Sequence, residues 1–362
     1  MAETAHNIEA PLTVPSTPAQ PRLKWWGKLG LALFAMLLVF GVMELAARFY
    51  AHVASEDRLI VIDDVVGWKL APNAHRRYDK ETQPYFIATN SKGLRDVEHT
   101  YEKPPGVYRI VVIGDSFVFG AGGVEPAKRF ADILQASTKN TEVINMGVPA
   151  YGTDQEYLYL ANEGMRYHPD LVLVCAFYND FSESFSAINP SNGRPKGYFS
   201  LEDSKLVFHP PHFSLFYRMA QHSYLLGLSQ MGLSKISDAF DKAMRRKRWL
   251  LNSETRLATY KQLFASTADL CQQHGASLVL VYLPFQGQYE KWIIQDVMEE
   301  LAATRGVKTL DLMETMKLAN RERTAYFAHD IHFNEYGNHV VGKALTEYLV
   351  NNGFVQPAAA HP

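Results

Sequence analysis

The stretch Val107–Ser116 reads VYRIVVIGDS, and it decides the fold. It is an apolar, β-branched run that ends in glycine and passes directly into two polar residues. A run without polar alternation indicates a strand that is buried on both faces of a sheet. Asp170–Phe177 (DLVLVCAF) and Ala276–Leu283 (ASLVLVYL) have the same character. These three runs predict a sheet with helices packed on both of its faces.

Segments with helical spacing alternate with these strands. Helices are predicted at 126–139, 153–167, 254–274, 293–304 and 335–351, and shorter strands at 142–146 and 307–312. Strands that alternate with helices pair in parallel through right-handed crossovers. The predicted fold class is therefore α/β, a three-layer α/β/α sandwich with a mainly parallel sheet. In such sheets, ligands bind beyond the carboxyl ends of the strands.

The composition excludes several classes of protein. Of the 362 residues, 47% are hydrophobic, and 36 Lys and Arg nearly balance 38 Asp and Glu. Such a chain is not disordered over most of its length, and it has no global field to attract nucleic acid. Two cysteines exclude a disulfide scaffold. Cys175 and Cys271 are expected to pack as small hydrophobic residues, although an oxidising compartment would permit a disulfide.

The N-terminal region contains one long apolar segment. Leu29–Ala47 spans 19 residues, about the length that crosses a bilayer as a helix, and aromatic residues flank it on both sides. The segment 25–50 is predicted to be a retained transmembrane signal anchor. The alternatives are a buried core helix and a cleaved signal peptide, and the latter fits poorly because no small-x-small cleavage site follows.

The basic residues around this segment predict its orientation. Arg22, Lys24 and Lys28 precede it, whereas Arg48 and Arg58 follow it. The positive-inside rule therefore places the N-terminus in the cytoplasm and the remaining chain in the periplasm or outside the cell.

The other domain boundaries follow from composition. A proline-containing disordered tail is predicted at 1–24, a juxtamembrane region at 51–106, the main domain at 107–354 and a flexible tail at 355–362. Within the main domain, 186–250 breaks the strand–helix alternation and is predicted to be an insertion. It contains the basic cluster Arg245–Arg248, which indicates either a solvated helix face or a contact with anionic groups.

Polar residues that suit acyl transfer follow several of the predicted strands. Ser116 offers a hydroxyl nucleophile, His332 a base, Asp330 a carboxylate to orient that base, and Asn179 a donor for an oxyanion. Each residue alone has an ordinary structural explanation, such as a helix N-cap for Ser116. Their joint occurrence at successive strand ends predicts a catalytic site.

These residues resemble the motifs of the SGNH, or GDSL-like, hydrolase family, including its membrane-anchored bacterial members. Gly114-Asp115-Ser116 resembles the nucleophile block, Asn179 the oxyanion asparagine and His332 the catalytic base. The resemblance implies a flavodoxin-like sandwich in which a serine attacks an ester. It implies no cofactor and no metal. The pairs His209/His212 and His329/His332 lack the further ligands that a metal site needs.

The sequence departs from the family pattern at two places. The position of the oxyanion glycine holds Ala150, with Gly147 and Gly152 as alternative donors. The family's aspartate lies three residues before the histidine, but here that position holds His329 and Asp330 lies only two residues before. Asp311 is therefore an alternative orienting residue. The predicted oxyanion donors are the N–H groups of Ser116 and Ala150 and the amide of Asn179.

Three functions remain open from the sequence. The first is a membrane-anchored serine esterase that hydrolyses an acyl or acetyl ester of a glycan or lipid outside the cytoplasm. The second is an O-acyltransferase for an exported polysaccharide, which would need a multi-span partner to supply the acyl donor. The third is a non-catalytic binding module on the same fold.

Overall fold

A computed structural model of the chain describes residues 24–53, 58–80, 83–227, 229, 253–288 and 290–358. The chain divides into two compact units, Met1–Ala46 and Ala47–Pro362. The basic cluster Arg245–Arg248 and nearly all of the predicted N-terminal tail lie outside the described residues.

The helices and strands have the following bounds. The strands are β1 (Ile60–Asp63), β2 (Gly67–Leu70), β3 (His75–Lys80), β4 (Gln83–Ala88), β5 (Tyr108–Gly114), β6 (Thr141–Gly147), β7 (Leu171–Ala176), β8 (Tyr198–Glu202), β9 (Lys205–His209), β10 (Ser277–Tyr282) and β11 (Lys308–Asp311). The helices are α1 (Trp25–Val53), α2 (Ser116–Phe119), α3 (Phe130–Ala136), α4 (Thr153–Asn162), α5 (Tyr178–Glu183), α6 (Leu215–His222), α7 (Ser253–Gln273), α8 (Ile293–Arg305), α9 (Met313–Glu322) and α10 (Glu335–Asn351).

Helix α1 contains the apolar N-terminal segment. It has 29 residues, and its most apolar 18-residue window has a mean hydropathy of 2.3 with no buried residue. By length and composition it is able to cross a membrane, a property that signal sequences share.

The central sheet has five parallel strands in the order β11-β10-β7-β5-β6. Counted along the chain, this is the flavodoxin-like order 2-1-3-4-5. Strand β5 lies between β6 and β7, where the strand order reverses, and the loops after β5 and β7 diverge there. The predicted α/β class is confirmed, and the fold places the ends of β5 and β7 at the edge where such sheets bind ligands.

Alternate residues of β5 face two different apolar clusters. Val111 and Ile113 belong to a cluster that also contains residues of α4, α7 and α8. Ile110 and Val112 belong to a second cluster with residues of α3, α9 and α10. Because all four side chains are fully buried, β5 has no face for solvent, and the sheet is the middle layer of a three-layer sandwich.

The segments outside this sandwich form antiparallel hairpins. Strands β1 and β2 pair with each other, as do β3 and β4 in the juxtamembrane region and β8 and β9 in the predicted insertion. Trp68 of β2 is 1% exposed and belongs to the same cluster as Val111. In the segment predicted to be a C-terminal tail, the Ala358 N–H donates to the Ser137 carbonyl.

A buried ion pair joins the insertion to α4. The Lys196 ammonium donates to the Asp154 carboxylate, and both side chains are fully buried. The other oxygen of Asp154 accepts from the Gln155 N–H at 2.8 Å. Burial disfavours the charged form of each side chain, and the attraction between the two charges opposes this effect. Each side chain therefore needs the other to remain charged.

Replacing Lys196 with methionine leaves the Asp154 carboxylate buried without its cation, so we expect the free energy of unfolding to fall by about 3–5 kcal/mol. The double variant Lys196→Met/Asp154→Asn removes both charges and should recover much of that loss. Urea unfolding followed by circular dichroism measures both values. The exposed Lys343→Met variant is the control, with an expected change of less than about 1 kcal/mol. A double variant no more stable than the single one would contradict this account.

Candidate active site

Ser116 is the first residue of helix α2, directly beyond the carboxyl end of β5. The Asp115 side chain caps this helix by accepting from the Phe117 N–H at 2.8 Å. Gly114 is required before it, because a Cβ there would lie 2.5 Å from a methyl group of Val118 and 2.9 Å from the Cys175 carbonyl oxygen. The strand therefore passes into the helix without space for a side chain, and the serine emerges at the edge of the sheet.

A chain of hydrogen bonds connects Ser116, His332 and Asp330. Ser116 Oγ lies 2.7 Å from His332 Nε2, and His332 Nδ1 is hydrogen-bonded to Asp330 Oδ1. The ring of Phe117 packs against the imidazole with 4.9 Å between the ring centroids. The spacing of two residues, although shorter than in the family pattern, therefore allows the Asp330 carboxylate to contact the His332 imidazole directly.

The alternative orienting residue, Asp311, is engaged elsewhere. Its carboxylate accepts from the Gln295 amide at 2.6 Å and from the Met313 N–H at 2.8 Å. The structure thus distinguishes the two carboxylates that the sequence left open, and it brings Asp330 to the imidazole.

One expectation about the histidine loop was wrong. His332 was expected at the carboxyl end of a strand, but α9 lies between β11 and this residue. The loop is closed by a bridge between Tyr326 and Phe333 and by the Phe327 N–H, which donates to the His332 carbonyl at 3.0 Å. Asn334 then caps α10 by accepting from the Gly337 N–H at 3.0 Å. The histidine is held by a helix-to-helix connection rather than by a strand end.

Ala150 occupies the third position of a tight turn. The Tyr151 N–H donates to the Val148 carbonyl at 3.2 Å, Pro149 is the second residue, and Ala150 has φ 62°. Proline followed by a positive φ is the pattern of a type II turn, in which the third position favours glycine. The alanine is therefore in a left-handed conformation that costs about 1 kcal/mol or more.

The alternative donor Gly147 already has a partner, because its N–H donates to Asn145 Oδ1 at 3.1 Å. Asn179 lies in the first turn of α5 at the end of β7, and its Oδ1 is buried without a hydrogen-bond partner among the described residues. Burial raises the pKa of Asp115 and of Glu183, and hydrogen bonding with the Asn179 side chain partly opposes that rise. The amide group of Asn179 is thus next to the residue that precedes Ser116.

Four buried carboxyl groups close to Ser116 were not predicted from the sequence. Asp115, Glu156, Asp180 and Glu183 are each at most 2% exposed. Burial raises the pKa of every member, and for Asp180 and Glu156 the neighbouring negative charges raise it further. Asp115 directly follows the buried strand β5, and Asp180 lies in the first turn of α5 after the buried strand β7, which was the available signal. The sequence did not predict that Glu156 points inward from α4, because a glutamate in a helix is ordinarily exposed.

Arg95 is a second residue whose contribution was not anticipated. Its guanidinium donates to the carbonyls of Phe119, Gly120 and Val124 at 2.8–2.9 Å. Burial and the neighbouring Arg129 charge lower the pKa of Arg95 to about 10. The juxtamembrane region therefore supports the C-terminal end of the short helix that begins at Ser116.

The other candidate groups have ordinary surroundings. Cys175 and Cys271 are free and buried. His209 is hydrogen-bonded to Ser200 and stacks on Tyr198. Among the described residues, no group of three or more His, Cys, Asp or Glu side chains is arranged to hold a metal ion.

The fold and these contacts define a class of α/β protein in which a serine and a histidine meet at the carboxyl edge of a parallel sheet. Residues 112–340 match the model of the GDSL-like lipase/acylhydrolase family. Since the match covers more than half of the chain, the protein belongs to this family. Membership supports a hydrolase that acts on esters. A comparison with curated proteins finds no match.

Solved structures with similar folds include several members of this family. A lipase/acylhydrolase from Enterococcus faecalis is 16% identical, with 70% of this chain and 100% of that chain covered and a TM-score of 0.41. A G-D-S-L family protein from Veillonella parvula is 14% identical, with 67% and 99% covered and a TM-score of 0.40. Esterase EstA from Pseudoalteromonas is 10% identical, with 67% and 97% covered and a TM-score of 0.40.

The buried Glu156 predicts a pH dependence of stability. Within the described part of the chain its carboxyl oxygens have no hydrogen-bond partner, and burial holds its pKa well above the ordinary value of 4.5. The folded protein thus keeps a proton that the unfolded chain releases, so stability falls as the pH rises above about 4.5. Glu156→Gln removes this loss. We expect the variant to be more stable than the unsubstituted protein at about pH 8 and the difference to shrink towards about pH 4.

Guanidinium unfolding at both pH values measures this difference, and the exposed Glu347→Gln variant serves as the control. A stability difference for Glu156→Gln that is the same at both pH values would contradict a buried neutral glutamic acid.

Proposed function

We propose that the protein is a membrane-anchored serine esterase that hydrolyses an acyl or acetyl ester outside the cytoplasm. The observation that carries this proposal is the hydrogen-bonded chain from Ser116 through His332 to Asp330, with 2.7 Å between serine Oγ and histidine Nε2. A hydroxyl next to a base, with a carboxylate on the far nitrogen of that base, is the arrangement that activates a serine.

The reaction begins when Ser116 Oγ attacks the carbonyl carbon of the ester and its proton passes to His332 Nε2. Asp330 accepts the hydrogen bond from Nδ1–H, which keeps Nε2 unprotonated before the attack and stabilises the imidazolium after it. The tetrahedral intermediate then expels the alcohol, which takes the proton from His332, and leaves an acyl group on Ser116. Water repeats the sequence through the same base and releases the acid.

The negative charge on the tetrahedral oxygen requires donors that are already in place. Ser116 begins a helix, so its N–H belongs to the first turn, where backbone donors have no partner within the helix. The Ala150 N–H comes from the turn after β6 and the Asn179 amide from the first turn of α5 after β7, and these two strands flank β5. Together these three donors form the proposed oxyanion hole, and each is expected to contribute about 2.7–4 kcal/mol to lowering the barrier.

Helix α1 supports the proposed location. Its length and hydropathy suit a single membrane span, and the excess of basic residues before it favours a cytoplasmic N-terminus. The catalytic unit would then lie in the periplasm or outside the cell, anchored through residues 25–50.

Replacing Ser116 with alanine should abolish turnover of p-nitrophenyl acetate and labelling by a fluorophosphonate, because the attacking oxygen is lost. Ser277 is a matched control, since it is exposed at the opposite, amino end of β10. Ser277→Ala should retain both activities. Turnover by Ser116→Ala at the rate of the unsubstituted protein would refute the assignment of the nucleophile.

Replacing Asp330 with asparagine should lower kcat by roughly 10⁴-fold, because an amide can hold the imidazole in the wrong tautomer. Asp311→Asn is the matched control and should leave kcat within a few-fold, since Asp311 bonds to Gln295 and Met313 instead. The measurement is kcat against pH for both variants. Equal losses in the two variants, or a larger loss at Asp311, would show that Asp330 does not orient the base.

A further inference from the structure

The start of the predicted insertion folds into a closed loop. The Asn189 N–H donates to the Arg194 carbonyl at 2.8 Å and the Lys196 N–H to the Ala187 carbonyl at 2.9 Å. A bridge between Ile188 and Pro195 completes the closure. Two side chains of this loop are fully buried although they are polar, namely those of Asn189 and Lys196. A loop that buries both an amide and an ammonium group is built around specific partners.

Both the oxygen and the nitrogen of the Asn189 side-chain amide form hydrogen bonds. Its Oδ1 accepts from the N–H groups of Ser191 and Asn192 at 2.9 and 3.1 Å, which shapes its own loop. Its Nδ2 donates to the Ala150 carbonyl at 2.9 Å and lies 3.5 Å from Glu183 Oε2. Asn189 therefore links the turn after β6 to the C-terminal end of α5.

These two elements are the ones that carry two of the proposed oxyanion donors. Ala150 contributes its N–H from the turn, and Asn179 contributes its amide from the first turn of α5. The ion pair between Lys196 and Asp154 connects the same loop to the start of α4, immediately after that turn. The insertion thus makes one buried contact with the turn after β6, through Asn189, and a second with the start of α4, through Lys196.

We propose that Asn189 is a positioning residue that sets the separation of the Ala150 N–H and the Asn179 amide, so that the insertion completes the oxyanion hole. This inference rests on the proposed esterase function. Ala150 needs such a contact more than glycine would, because its left-handed conformation is unfavourable for alanine. Asn189 does not touch the reacting atoms; it acts through the backbone of Ala150.

The charges and polar groups around Asn189 favour a neutral donor. The Asn189 Nδ2 group faces two acceptors, the Glu183 carboxylate and the Ala150 carbonyl. An aspartate would retain the Oδ1 contacts that shape the loop but would lose the donated hydrogen bond. Asn189→Asp therefore separates the donor role from the loop-shaping role, whereas Asn189→Ala removes both without adding a charge.

The chain offers a matched control in Asn90, which is 6% exposed. Its Oδ1 accepts from the N–H groups of Lys92 and Leu94, and its Nδ2 donates to the Val97 carbonyl at 2.8 Å. Asn90 thus has the same bonding pattern in a loop that contributes no proposed oxyanion donor.

The experiment measures kcat and KM for p-nitrophenyl acetate, together with inhibition by a trifluoromethyl ketone, in the full chain. For Asn189→Ala and Asn189→Asp we expect kcat to fall roughly 10- to 100-fold with KM nearly unchanged, since a misplaced donor weakens only the transition state. The inhibition constant of the ketone should rise by a similar factor, because the ketone forms the same oxyanion. Asn90→Ala and Asn90→Asp should change kcat by only a few-fold.

Two outcomes would overturn the inference while leaving the proposed function intact. One is a loss of kcat at Asn189 no larger than at Asn90, and the other is a rise in KM with kcat unchanged. A failure of the proposed function looks different, since the unsubstituted protein would then show no ester turnover beyond that of Ser116→Ala, and the inference would fall with it.

Discussion

The structure depends on the burial of β5 between two apolar clusters. Ile110 and Val112 pack on one side, Val111 and Ile113 on the other, and β6 and β7 flank the strand in parallel. A strand with no face for solvent has to lie in the middle of the sheet, and parallel pairing brings its carboxyl end beside those of its neighbours. The position of Ser116 is therefore a consequence of core packing, because the chain leaves β5 only two residues before it.

The rest of the site is brought to this point by contacts between distant parts of the chain. Ser116 and His332 are 216 residues apart, yet their side chains are hydrogen-bonded. Helix α10, which follows the histidine loop, docks on α3, and Asn338 Oδ1 accepts from the Phe130 N–H at 3.1 Å. The distance between nucleophile and base is thus controlled by the packing of two helices against the same face of the sheet.

The positions of the buried polar side chains around the candidate site could not be predicted from the sequence. Strand runs, helix periodicity and the types of the candidate residues are local properties, so the fold class could be predicted, and Ser116, Asn179 and His332 proposed as site residues, without a structure. The inward direction of Glu156 depends on which face of α4 meets the sheet, and the role of Arg95 depends on how its loop packs against the end of α2. Ordinary burial preferences place both residue types at the surface, so no local pattern indicated their positions.

The sequence by itself determined the parallel α/β architecture, the family and the residue types that meet at the sheet edge. These features depend on apolar periodicity and short motifs, each of which lies within a few consecutive residues. Only the tertiary structure decided that Asp330 rather than Asp311 reaches His332, that Ala150 has a positive φ, and that Asn189 contacts its carbonyl. The first depends on how the loop between α9 and α10 folds, the second on the turn after β6, and the third on a contact between residues 39 positions apart. All three are settled only once the core has packed.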